Sequence, residues 1–124
     1  MERAVLLYTT WPSIVEAEAA GNEIVKRRLA ACVNILPGMV SHYWWKGAIE
    51  RADEVVMIVK TRAALAQDVS AAVKELHSYE TPAVMVLPVE NVEPAYHQWI
   101  VDETQAQKER AARRPPSQKR KRDQ

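Results

Sequence analysis

Cysteine, glycine and phenylalanine are scarce in this sequence, which has one cysteine, three glycines and no phenylalanine. The single cysteine, Cys32, excludes an intramolecular disulfide framework and suits a reducing compartment, so we expect a cytoplasmic protein. The glycines, Gly21, Gly38 and Gly47, are too widely separated for a phosphate-binding loop, which argues against nucleotide hydrolysis. No apolar run approaches the ~20 residues of a membrane helix, and no signal-peptide core follows Met1.

The chain has 124 residues, of which 48% are hydrophobic and 27% charged, as in an ordinary globular domain. Its net charge of +1 hides an uneven distribution. Residues 1–107 carry nine basic and fourteen acidic side chains, whereas residues 108–124 carry eight basic and two acidic ones. We therefore predict one domain over 1–107 and a disordered basic tail over 108–124. The tail is either a solvated extension or a contact for nucleic acid, whose phosphates Lys and Arg neutralise.

Four apolar segments predict the strands of one sheet. Arg3–Thr10 and Val55–Val59 are continuously apolar, which is typical of central strands buried on both faces. Cys32–Trp45 is interrupted by Pro37-Gly38, and Ala83–Val89 contains Pro88. Because proline removes a donor from the hydrogen-bond ladder, both of these segments are expected at sheet edges.

Three segments predict helices. Ser13 and Glu16 have the spacing of a capping box, and apolar residues recur at helical spacing over about 13–30. A second amphipathic stripe extends from Arg62 to about His77. Pro94 suits the first turn of a third helix. That last helix carries three large residues on one side: Tyr96, Trp99 and Ile100.

The resulting order, β-α-β-β-α-β-α, predicts an α+β fold of the ferredoxin-like split βαβ type with an antiparallel sheet and a C-terminal helix. Lys46-Gly47 marks the tip of a hairpin between two strands of about a dozen residues each. This hairpin projects Tyr43, Trp44 and Trp45 from a small domain. Since an exposed apolar edge invites open-ended strand pairing, we expect a closed homo-oligomer to cover it.

Several linked segments together resemble the CutA divalent-cation tolerance proteins, over residues 3 to about 104. The resemblance implies a tight homotrimer that acts in tolerance of copper and other divalent metals, with no cofactor required and copper or another divalent metal as a possible ligand. It implies no membrane partner and no nucleic acid, except through the basic tail. The segments are L-A-A-C-V-N at 29–34, Pro37-Gly38, Y-W-W-K-G at 43–47, V-K-T at 59–61, Y-E-T-P at 79–82, V-L-P-V at 86–89 and Y-H-Q-W-I at 96–100.

The resemblance implies two metal ligands, Cys32 and His77. A thiolate is a soft donor for copper, and an imidazole suits copper or zinc. The alternative interpretation is that Cys32 is a small buried residue and that His77 caps a helix or lies at the surface. Some family members have a second cysteine late in the first strand, where this chain has Tyr8, so one subunit has no two-thiolate site.

A second set of side chains predicts either subunit packing or a ligand pocket between subunits. Large aromatic residues favour packing between subunits, whereas polar anchors among them are typical of a small-molecule site. The pocket hypothesis gives an alternative function, a signalling or scaffolding trimer that resembles the PII proteins and binds a small metabolite or partner. Its residues are Trp44, Trp45, Lys60, Tyr79, Glu80, His97 and Trp99.

Catalytic motifs are missing from the sequence. There is no G-x-S-x-G elbow, and Cys32 has no histidine close to it in sequence to activate the thiol. The sequence therefore predicts a non-enzymatic protein, and the family resemblance implies that it acts in divalent-metal tolerance and binds copper weakly.

Overall fold

The computed structural model describes residues 2–105. The basic tail predicted over 108–124 lies outside these residues. Four strands and three helices follow one another along the described chain in the order β-α-β-β-α-β-α, with a 3-10 turn at Ala63–Leu65 before the second helix. Their bounds are β1 Ala4–Trp11, α1 Ile14–Lys26, β2 Cys32–Trp45, β3 Ala48–Arg62, α2 Ala66–Leu76, β4 Val84–Pro88 and α3 Pro94–Glu103.

The strands form one antiparallel sheet in the order β2-β3-β1-β4. The predicted α+β fold is therefore confirmed, with β1 and β3 at the centre and the two proline-containing strands at the edges. In β3, buried Val55, Met57 and Val59 alternate with less buried neighbours. This alternation follows from the two-residue period of a strand and gives the sheet one face in the core.

Helices α1 and α2 cover the core face of the sheet. Leu7 and Met57 are fully buried there, together with Ile24 of α1 and Val73 of α2. Fully buried Trp11 donates its indole N–H to Thr9 Oγ1 at 2.7 Å, and the Thr9 hydroxyl donates to the Met57 carbonyl at 2.8 Å. The indole N–H of Trp11 and the hydroxyl of Thr9 therefore both have a hydrogen-bond partner inside the core.

Helix α3 packs against the face of β3 that points away from the core. Lys60 Nζ donates to Tyr96 Oη at 3.1 Å, and Arg62 Nε donates to Thr104 Oγ1 at 3.0 Å. Because successive side chains of a strand point to opposite faces, α3 lies on the side of the sheet away from α1 and α2. None of the helices within residues 2–105 is long and apolar enough to cross a membrane.

Glu2 ties the start of β1 to α3. Its carboxylate accepts from Arg62 Nη1 at 3.0 Å and from the backbone N–H of Ala64. Its backbone carbonyl lies 2.5 Å from His97 Nε2, and a carbonyl at that distance accepts the imidazole proton. Three separate elements of the chain therefore meet at this residue.

The prediction for α1 was wrong in two details. Ser13 Oγ accepts from the Glu16 N–H at 3.2 Å as expected, but the Glu16 carboxylate accepts from the Ser78 N–H at 2.9 Å instead of closing a capping box. The helix also ends at Lys26, not near residue 30. Arg28 has a φ of 63°, and the Arg28 and Leu29 N–H groups bond to carbonyls in the last turn. This is a Schellman ending with arginine in the position that glycine usually occupies.

The second helix also begins later than predicted. The chain makes a 3-10 turn after Arg62, and regular α2 starts at Ala66. The N–H of Ala64 in that turn bonds to Glu2, which is 62 positions away in the chain. Tertiary contact thus replaces a local cap at this helix start.

A two-stranded arm extends beyond the sheet. Strand β1 pairs with β3 over Val55–Arg62, whereas the β2–β3 ladder continues from Met39 opposite Glu54 to Trp45 opposite Ala48. Within residues 2–105 no third strand pairs with this part of the ladder. The turn at Lys46-Gly47 has φ of 49° and 83°, as a tight I′ hairpin requires, which confirms the predicted tip.

Candidate functional site

Cys32 is the first residue of β2 and lies opposite Lys60 in the β2–β3 register. Its side chain is partly buried. The Asn34 amide lies 3.8 Å from Sγ, and Sγ lies 3.8 Å from the Val33 carbonyl. The thiol therefore has a polar environment of amide and carbonyl groups and no imidazole base beside it among these contacts.

An open cleft of about 720 Å³ lies beside Cys32, at the edge of the sheet between α1 and α3. Helix α3 supplies two aromatic side chains, Tyr96 and Trp99, whose ring centroids are 5.4 Å apart. Lys60 places its ammonium group 5.5 Å from the Tyr96 ring centroid and bonds to the phenol oxygen. The remaining wall comes from α1 and from the start of β2: Glu18, Gly21, Asn22, Val25, Ala31, Val33 and Asn34.

His77 is buried behind the core face of the sheet. Its ring stacks on Trp11 with centroids 4.1 Å apart. Nε2 lies 2.7 Å from the Thr10 carbonyl, and Nδ1 accepts from the Tyr79 N–H at 3.1 Å. Since a carbonyl only accepts, Nε2 carries the proton of the neutral ring. Glu16 Oε2 lies 3.7 Å from Nδ1, so both ring nitrogens already face a protein group.

One subunit does not bring Cys32 and His77 together. Cys32 shares a sheet face with Lys60, because residues directly opposite in an antiparallel pair point the same way. Lys60 directly follows the core residue Val59 in β3, so its side chain points away from the core face. His77, in contrast, stacks on Trp11, which lies on the core face. The sheet therefore separates thiol and imidazole. Among residues 2–105 no group of three or more His, Cys, Asp or Glu side chains is arranged to hold a metal ion.

The residues of the hypothesised ligand pocket lie in separate places in one subunit. Trp44 and Trp45 are at the tip of the arm and are 72% and 55% exposed. His97 contacts the Glu2 carbonyl, and Glu80 is exposed in the loop after α2. Two members of the set, Lys60 and Trp99, line the cleft beside Cys32.

Tyr79 lies in the loop after α2, and its hydroxyl donates to Glu54 Oε2 at 3.1 Å. Its ring lies 4.7 Å from that of His77. Burial, aided by the hydrogen bond to Glu54, raises the pKa of Tyr79 to about 12. The phenol therefore remains a neutral hydrogen-bond donor over the ordinary pH range, and it joins the loop to the base of the arm.

Sequence reasoning missed the part that α1 and Tyr96 play in the cleft. Asn22 lies four positions after Glu18, so both side chains occupy one face of α1. Tyr96 lies three positions before Trp99, and that spacing was the available signal for a shared wall. The approach of α1 to α3 across the edge of β2 is a tertiary feature that no local pattern contains.

The fold, the arm and the cleft can be compared with known proteins. Residues 5–103 match the family model described as CutA1 divalent ion tolerance protein. The chain belongs to this family. The family resemblance noted in the sequence is thereby confirmed, and the match covers nearly all of the described residues.

Among CutA relatives, the divalent-cation tolerance protein CutA of Archaeoglobus fulgidus is 45% identical over 98 residues, which are 79% of this chain and 94% of that protein. The CutA of Pyrococcus horikoshii is 38% identical over 100 residues, 81% of this chain and 97% of that protein. Human CutA is 38% identical over 99 residues, but these are 55% of its length. These names describe cation tolerance or the family, and none states a catalysed reaction.

Solved CutA structures have the same fold. The Ehrlichia chaffeensis protein superposes with a TM-score of 0.82 at 32% identity and covers 86% of this chain and 99% of its own. The Archaeoglobus fulgidus structure, described as a periplasmic divalent cation tolerance protein, has a TM-score of 0.80 at 40% identity, covering 82% and 99%. The CutA fold of residues 2–105 is therefore shared with proteins of distant organisms.

Proposed function

We propose that this CutA protein is a non-catalytic homotrimer that acts in divalent-metal tolerance and binds copper weakly through Cys32. The observation that carries the proposal is the match of residues 5–103 to a family described by divalent ion tolerance. A cytoplasmic location belongs to the same proposal, because the free thiol of Cys32 suits a reducing compartment.

The arm supports self-association. Its tip exposes Trp44 by 72% and Ile49 by 63%. A hairpin of two strands is marginally stable in water by itself, and large apolar side chains at its tip favour aggregation unless they are covered. A closed ring of identical subunits covers each arm with its neighbours and leaves no open edge.

The metal part of the proposal depends on symmetry. One subunit supplies a single accessible thiol at Cys32, and a single donor holds copper poorly. A trimer supplies three copies of Cys32 and of the groups around it. His77 is the weaker candidate, because a metal there must displace the hydrogen bonds to Thr10 and Tyr79. Weak binding is the expected outcome.

Calorimetric titration of the reduced full chain with Cu(I), delivered from a competing chelator, tests the metal part. We expect Cys32→Ser to abolish binding. The matched control is His42→Ala, which removes an exposed potential ligand from the arm and leaves binding unchanged. A His77→Ala variant that still folds tests the second ligand. Unchanged affinity in Cys32→Ser refutes the assignment of the site.

Sedimentation velocity tests the assembly. The wild-type chain is expected to sediment as a trimer at micromolar concentration, and Trp45→Ala is expected to shift it toward smaller species because the arm loses one of its two tryptophan anchors. Val15→Ala is the matched control, since it removes an exposed apolar side chain from α1, away from the arm. A wild-type monomer at this concentration, or an intact Trp45→Ala trimer, contradicts the proposed role of the arm.

A further inference from the structure

The cleft beside Cys32 contains a cation with no ionic partner. Lys60 is half-buried, and within residues 2–105 its ammonium group forms no ion pair. It is held instead by the Tyr96 hydroxyl at 3.1 Å. Because partial burial of a charge is costly without a counter-charge, an anion that enters the cleft gains a charge-assisted hydrogen bond there.

Aromatic surface lies next to this cation. The rings of Tyr96 and Trp99 are 5.4 Å apart and inclined by 31°, so they form one wall of the cleft. The wall lies on α3, which the Lys60–Tyr96 bond fixes against β3. A flat apolar group can therefore pack on the wall while its anionic end reaches Lys60, as in small-ligand sites that combine apolar walls with a few polar anchors.

Amides and a carboxylate complete the lining. Asn22 of α1 and Asn34 of β2 offer N–H donors that stabilise an anion without adding charge. Glu18 lies on the α1 wall, is exposed to solvent and repels an anion at the opening. The cleft therefore has one positive charge, at Lys60 beside the aromatic wall, and one negative charge, at the exposed carboxylate of Glu18.

We propose that this cleft binds a small carboxylate or phosphate that carries a flat apolar group. The anionic end pairs with Lys60, and the flat group packs on Tyr96 and Trp99. The inference goes beyond the metal-tolerance proposal, because it requires neither a metal nor the Cys32 thiol. It also differs from the pocket hypothesised from the sequence, since it places Lys60 and Trp99 with Tyr96 and leaves the arm tryptophans out.

Titration calorimetry of the metal-free full chain at low salt tests the inference with simple probes. Phenylacetate and phenyl phosphate are expected to bind more tightly than acetate, inorganic phosphate or neutral benzyl alcohol. The tighter of the two aromatic anions identifies the acid group that the cleft prefers. Affinity for both should fall as salt rises, because the ion pair is partly exposed.

Charge variants locate the site. Lys60→Gln keeps a hydrogen-bond donor for Tyr96 but removes the charge, and we expect it to weaken aromatic-anion binding by roughly tenfold or more. Glu18→Gln should tighten binding by about two- to threefold, because it removes a repulsive charge at the rim. Lys74→Gln is the matched control on the exposed surface of α2 and should bind as wild type.

Two outcomes would overturn the proposed role of Lys60 in binding an aromatic anion. Equal affinity of wild type and Lys60→Gln, or of benzyl alcohol and phenylacetate, overturns the proposal. If Lys60→Gln fails to fold, the Glu18→Gln result decides in its place, and unchanged affinity there overturns the proposal. Phenylacetate is titrated without metal and Cu(I) without phenylacetate, so failure of the metal site and failure of the anion site are separate observations.

Discussion

Gly21 allows α1 to approach the sheet closely, and replacing it with alanine is predicted to destabilise the fold. A Cβ atom at this position would lie 2.9 Å from Met57 Sδ and 2.9 Å from Val33 Cγ2. Both distances are shorter than an ordinary van der Waals contact, so the neighbours must move. Met57 is fully buried, and Val33 is β-branched, which restricts its χ1 angle.

Two opposing effects set the magnitude. Alanine is a better helix former than glycine by about 1 kcal/mol in a helix interior. Overpacking of a filled core costs about 1–3 kcal/mol. Because two neighbours are affected, one fully buried and one β-branched, the upper part of that range applies. We therefore expect Gly21→Ala to lower the free energy of unfolding by about 1–2 kcal/mol.

Urea denaturation at one fixed protein concentration measures this change, since assembly makes apparent stability depend on concentration. Ala19→Gly is the matched control, because Ala19 is exposed in the same helix and the substitution reports helix propensity alone. That variant should lose about 1 kcal/mol. A Gly21→Ala protein as stable as wild type, or more stable, would refute the close approach of α1 to Met57 and Val33.

Three further changes test single contacts. Arg28→Gly should be more stable than Arg28→Ala by about 1 kcal/mol in urea denaturation, because both lose the side chain but only glycine adopts a positive φ without strain. Thr9→Val should lower the free energy of unfolding by about 1–3 kcal/mol, because it leaves the buried Trp11 N–H without its acceptor. The raised pKa of Tyr79, about 12 against a reference value of 10.0, should stabilise the fold fully below pH 10 and lose that contribution as the pH rises toward 12.

Each of these changes has its own control. Equal stability of the glycine and alanine variants at Arg28 would contradict a strained helix ending. Thr9→Ser keeps the hydroxyl, so a loss as large as that of Thr9→Val would show that packing and not the hydrogen bond is responsible. Tyr79→Phe should remove part of the alkaline loss of stability, and an unchanged pH profile in this variant would show that another group titrates.

The strands were predictable because their signals are local. Continuous apolar runs placed β1 and β3 at the centre, and Pro37 and Pro88 placed their strands at the edges, as the sheet order confirms. The end of α1 was not predictable, because arginine gives no sign that it will take the left-handed conformation seen at Arg28. The Leu29 N–H that closes the Schellman ending is likewise visible in the structure and not in the sequence.

The sequence singled out three residues of the cleft, Cys32, Lys60 and Trp99, but not the arrangement that brings them together. Cys32 and His77 both stand out by residue type, yet the face on which each lies depends on strand register and on the packing of Trp11. The cleft joins Lys60 to Tyr96, which are 36 positions apart in the chain. Contacts of that kind are set by the tertiary fold, so sequence spacing alone does not predict them.

Glu2 also couples the beginning of the described chain to its last helix. Its carboxylate and carbonyl hold Arg62, the turn at Ala64 and His97 together. Peeling the first residues away from the sheet would release all three partners at once, so local opening at this end should loosen α3 and, with it, the wall of the cleft formed by Tyr96. Glu2 thus stabilises the position of α3, and with it the cleft wall formed by Tyr96, although that wall lies far from Glu2 in sequence.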